Sequence, residues 1–219
     1  MSVSWVQTVT PVGTTSPAVT GSFTPSAGDQ IPVFGANTSG SATTMTVTGT
    51  GSYSSLATLL SDGSTGKTLQ PWANSSCSGG AQTVTNTGAA GNAMFIWAFE
   101  YSGAATVSAQ TSVLRSNPGT GAGAILGTSV TVPAGAILLA LCTCESTVTA
   151  TITSPSGTNR GAGTVASTLP YCVTEYAGTG AAIQPAFTCS VGGTNSFGVQ
   201  QILLQPSTAA PVLMGGICL

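Results

Sequence analysis

Apolar and polar residues alternate with a period of two along most of this chain, and the spacing of an amphipathic helix is almost absent. Two segments are apolar on both faces. Ala93, Phe95, Trp97, Phe99 and Tyr101 share one parity and Met94, Ile96 and Ala98 the other, so residues 93–101 are predicted as a central strand covered on each side. Residues 136–144 read the same way after a Pro133-Ala134-Gly135 turn, with Leu138, Ala140, Cys142 and Cys144 opposite Ile137, Leu139 and Leu141. Further strands are expected at 3–9, at 31–36 after the Ser26-Ala27-Gly28-Asp29 turn, at 43–48, and later at 147–153, 164–169, 171–176, 182–189 and 197–205. Threonine is dense in these segments, and its branched Cβ suits a pleated surface better than a helical turn. Residues 53–60 offer the only short helix, which Ser54, Ser55 and Thr58 weaken.

Turns without crossover helices predict an all-β protein: an antiparallel β-sandwich, jelly-roll-like, in a single domain over 1–206. After Pro206 the composition changes. Residues 207–219 are expected to form an extra edge strand or an arm docked on a neighbouring subunit through Val212, Leu213, Met214, Ile217 and Leu219.

Charge narrows the function classes. Five acidic and three basic side chains among 219 residues, with no histidine, leave little for general acid–base chemistry or transition-metal binding. No catalytic residue, cofactor or metal is therefore expected. With 42% hydrophobic residues and a net charge of −2 the chain is expected to be ordered. A surface so poor in charge lacks the self-repulsion that keeps monomers apart, which points to an assembly component. Lys67, Arg115 and Arg160 cannot neutralise a phosphate backbone, so no nucleic-acid partner is expected. The longest apolar run, 134–142, is short of the roughly 18 residues of a membrane span, and residues 1–10 lack the basic and apolar regions of a secretory leader.

Cys77, Cys142, Cys144, Cys172, Cys189 and Cys218 are read as small buried hydrophobes, with disulfides as the alternative. Cys142 and Cys144 share a strand face, but zinc would need two more thiolates. Asp29 and Glu100 form a conceivable hydrolytic carboxylate pair. The expected role is structural: Asp29 caps its turn, and Glu100 accepts a hydrogen bond from a neighbouring loop or from Arg115. Gly66-Lys67-Thr68 fails as a phosphate loop, because the earlier glycine is misplaced and no helix follows. Trp72 and Tyr53, flanked by polar residues, are candidate contacts for a sugar face, against packing at a core rim. Glu100-Tyr101-Ser102-Gly103 is echoed by Glu175-Tyr176-Ala177-Gly178, a match short enough for chance in so biased a composition, with duplication as the alternative.

The order of Trp5, the Ala27-Gly28-Asp29 turn into an apolar strand, a strand at 79–85 and Phe99-Glu100-Tyr101-Ser102-Gly103 resembles β-sandwich structural proteins of phage and prophage virions. The resemblance covers Trp5 to Pro206, with Ser and Thr replacing the charges usual on outer strands. It implies a capsid decoration or cement protein, assembled in the host cytoplasm into the virion as a homo-oligomer, a trimer by expectation. Its partner would be the major capsid protein. The alternative within the same resemblance is a tail or fibre component that binds host-surface glycan or protein.

Overall fold

A computed structural model describes residues 2–38, 45–61, 67–90, 92–116, 124–144, 151–166, 169–190 and 196–207. Among these there is no helix. The first half of the chain carries β1 (Ser4–Thr8), β2 (Val12–Thr15), β3 (Ala18–Val19), β4 (Ile31–Thr38), β5 (Thr46–Gly49), β6 (Ser54–Ser55), β7 (Leu60–Ser61), β8 (Lys67–Asn74), β9 (Val84–Thr87) and β10 (Ala93–Ser102). The second carries β11 (Ala104–Ser116), β12 (Ala124–Leu126), β13 (Val130–Thr131), β14 (Ile137–Cys144), β15 (Ile152–Thr153), β16 (Thr158–Val165), β17 (Leu169–Ala177), β18 (Ala182–Ile183), β19 (Ala186–Cys189) and β20 (Ser196–Pro206).

These strands pack as four layers. The inner two are the main sheets, β1-β10-β4-β8-β6 and β11-β20-β14-β17-β16; β2 continues β1 along β10, and β7 continues β6 along β8. Outside the first lies the small sheet β3-β9-β5, and outside the second lie β12-β19-β15 and the β13-β18 pair. Phe34, Phe95, Trp97 and Phe99 meet Leu139, Leu141, Val173 and Ile202 between the main sheets. Ile31, Val33 and Ile96 face Val47 and Val84 in one outer core, and Leu138, Ala140 and Val199 face Ile152 and Phe187 in the other. Each main sheet is thus covered on both sides, which is the physical reason that 93–101 and 136–144 are apolar at every position but Glu100 and Thr143.

The two halves share one connectivity. Let β1 with β2, and β6 with β7, each count as a single interrupted strand. Each half then has eight main positions, and its main sheet runs 1-8-3-6-5 while its small sheet runs 2-7-4. The minor pairing between β13 and β18 has its counterpart as well, in the isolated bridge Phe23 to Gln82. Gly103 alone separates β10 from β11; its φ is +76°, and a Cβ there would lie 2.6 Å from the Ser2 carbonyl oxygen.

Several expectations need correction. Residues 53–60 form no helix; β6 and β7 are two short edge pieces on either side of Pro71 in β8. Proline has no N–H to give to an edge partner, so the ladder lapses there, while Leu56 N–H still bonds the Pro71 carbonyl and the Gln70 side chain bonds the Ala57 carbonyl. Residues 79–83 form no named strand, because Gly79 and Gly80 take positive φ; beyond the isolated Phe23–Gln82 bridge, pairing starts at Val84. The predicted strand at 164–169 is the end of β16 and the start of β17, and 182–189 divides into β18 and β19. Of 43–48 and 147–153, the described parts pair as β5 and β15. The expected arm residues Val212, Leu213, Met214, Ile217 and Leu219 lie outside the described residues, as does Cys218. Cys77, Cys142, Cys144, Cys172 and Cys189 are buried thiols, and burial pushes the Cys172 thiol up.

Candidate functional site

The main sheets bring chain-distant polar groups together at one seam, where β1 of the first half runs beside β16 and β17 of the second. Glu175 on β17 accepts from Arg160 on β16 through both oxygens, Nε to Oε2 at 2.8 Å and Nη2 to Oε1 at 2.9 Å. The Tyr101 hydroxyl of β10 donates to the same Oε2 at 2.8 Å. Burial, followed by the Glu175 charge, drives the Tyr101 phenol well above its ordinary range, and the bond to Glu175 raises the Arg160 guanidinium. Arg160 lies 4.5 Å above the Trp5 ring, and its backbone carbonyl accepts from the Thr8 hydroxyl at 3.1 Å. Trp5 is 40% exposed. A cleft of about 350 Å³ opens beside it, lined by Ser2, Ser4, Trp5, Ile137, Arg160 and Glu175 among others.

Chemically this arrangement is a fastener with an aromatic rim. Both Glu175 oxygens are engaged, and the guanidinium fork matches the carboxylate geometry that makes such pairs strong. It is the one ion pair among the described residues.

A second polar centre lies within the first half. Glu100 on β10 accepts from the Ser26 N–H at 3.0 Å and from the Gln7 side-chain amide. The loop partner expected from sequence is therefore present. Asp29, however, also hydrogen-bonds Glu100. Desolvation first, then the Glu100 hydrogen bond and charge, raise the Asp29 carboxyl to about 6. Glycosidic carboxylates stand roughly 5 Å or more apart with substrate between them. Here the two are in contact and buried, Glu100 at 1% exposure.

Trp72 and Tyr53 are partly buried and pack on the outer core of the first half, and the Tyr53 hydroxyl lies 3.2 Å from Gln82 Oε1. They do not meet Trp5, Arg160 or Glu175 in the cleft. The pairing of Arg160 with Glu175 was not foreseen; the one available signal was that an isolated Arg and an isolated Glu in so neutral a chain need partners once buried. Among the described residues no group of three metal-ligating side chains assembles, and no helix is long and apolar enough to cross a membrane. No protein-family model, curated protein or solved structure matches the chain.

Proposed function

We propose that the chain is a structural virion protein that decorates a capsid, binding the major capsid protein from outside as a homo-oligomer and working without catalysis. The strand order carries this reading. A jelly roll is a long antiparallel hairpin rolled up, so strand 1 pairs 8, 2 pairs 7 and 3 pairs 6; both halves make these three pairings and bring 8 beside 3. That connectivity recurs in viral capsid domains and lectins. The reading also draws on the low charge: with five acidic and three basic side chains, the surface must make its contacts through hydroxyls, amides and backbone, which suits lasting interfaces. Copy number tests it. Purified particles carrying the chain should hold hundreds of copies by gel densitometry; a few tens or fewer would remove the capsid role.

The exposed Trp5 ring at the cleft favours one other reading, a tail or fibre component whose ligand is a glycan, since an indole face stacks on a sugar face. Low copy number, together with glycan binding that Trp5→Ala abolishes, would select it.

A further inference from the structure

The second half repeats the first position by position. β1 with β2 corresponds to β11, β3 to β12, β4 to β14, β5 to β15, β6 with β7 to β16, β8 to β17, β9 to β19 and β10 to β20, and no strand is left over once Phe23 and Gln82 are matched to β13 and β18. Even the departure from an ideal jelly roll is shared: in both halves strand 5 pairs strand 6 instead of strand 4.

The contacts between halves are reciprocal. β10 of the first half meets β17 of the second, with Trp97 and Tyr171 ring centroids 5.6 Å apart and Tyr101 bonded to Glu175. The mirrored contact, β8 with β20, is present where Gly198 lies against Leu69 with no space for a Cβ. β1 meets β16 through Thr8, Trp5 and Arg160; its counterpart, β7 against β11, places Leu60 beside Ala109 and Gln110 around a second cleft of about 360 Å³. When element i touches j and the equivalent of j touches the equivalent of i, the two bodies are related as the subunits of a two-fold dimer.

We propose that this chain is a fused dimer, and that the inner face of each main sheet is a self-pairing surface whose partner is a second copy of the same eight-stranded unit. A lone first half would present Phe34, Phe95, Trp97 and Phe99 to water, a contiguous apolar face of the kind soluble monomers avoid. The second half meets it with Leu139, Leu141, Ile202 and Leu204 beside the single ring of Tyr171, so a mainly aromatic face meets a mainly aliphatic one. Fusion makes such specialisation possible, because the two faces no longer have to be identical.

The inference concerns architecture and stands apart from the capsid role. Its test inserts a protease recognition sequence at the exposed Gly103 junction of the full chain and cuts the folded protein. The cut protein should elute at the intact volume while running as two fragments under denaturing conditions. Separation into two folded monomeric peaks would overturn the proposal. An experimental structure of the uncut chain gives the second reading, independent of whether the insertion folds: the equivalent strands should overlay after a half-turn. Halves that overlay only by translation, or fail to overlay, would overturn it equally.

Discussion

The two seams between the halves are built from equivalent strands and closed by different chemistry. Along β1 and β16 the Tyr101 hydroxyl bonds Glu175 and Trp5 lies against Arg160, joining the first half to an ion pair held within the second. Along β7 and β11 the lining is Ala57, Thr58, Leu60, Ala109, Gln110, Thr111 and Ser112, which carries no charge; the clefts at the two seams are of similar size, about 350 Å³ and about 360 Å³. The difference teaches that the apolar contact runs between the inner faces of both main sheets, while the polar fastening is local to one seam. The Tyr101 bond to Glu175 and the Trp5 contact with Arg160 are directional, so the charged seam constrains the relative position of the halves more tightly than apolar packing does.

The largest break comes from the charged seam. Arg160→Met strands Glu175 beside Tyr101, and with side chains only 19% and 10% exposed in the pair, the loss should be about 3–5 kcal/mol in a denaturant titration. Adding Glu175→Leu should recover most of it; no recovery would mean that Arg160 acts mainly through Trp5. A matched pair of enlargements sharpens the contrast. Gly13→Ala would bring a Cβ within 2.5 Å of Phe95 Cδ1 and 2.7 Å of Val165 Cγ1 near the charged seam, costing about 1–3 kcal/mol. Ala109→Leu at the uncharged seam should instead raise stability by about 0.5–1 kcal/mol by filling its cleft. Equal losses at both sites would erase the distinction.

The smallest effect separates the halves by pH. Asp29, just ahead of β4, is raised from 3.8 to about 6, whereas the turn ahead of β14 is Pro133-Ala134-Gly135 and has no carboxyl. Because the folded state holds the Asp29 proton more tightly than the unfolded chain, folding stability should fall as pH rises from about 4 to about 6 and then level off. Asp29→Asn should flatten that slope in urea midpoints measured across the range; an unchanged slope would place the proton elsewhere.

Legibility followed alternation. β10 and β14, buried on both faces, were clear from residue type alone, and the ends of β20 were nearly so. β11 was missed although it has thirteen residues, because a register shift between Gln110 and Val113 breaks its period and its outer side chains are half exposed. β8 was missed because Pro71 reads against a strand, and all of β16 before Thr164 because Gly161 and Gly163 and a shift after Asn159 leave no alternation. The Glu-Tyr echo was no guide to the repeat: Glu100-Tyr101 lies on β10 and Glu175-Tyr176 on β17, which are not equivalent strands. What repeats is the order of pairing, and that survives when side chains diverge.

Residue type by itself determined that the chain would be antiparallel β, with two central strands shielded on both sides, since apolar alternation and the desolvation of backbone groups leave few other ways to bury such segments. Only the tertiary structure decided that the main sheets face each other in reciprocal fashion, that Tyr101 of the first half finds Glu175 of the second, and that Asp29 shares its burial with Glu100. Those outcomes depend on pairings between residues far apart in the chain, which alternation within a single strand does not encode.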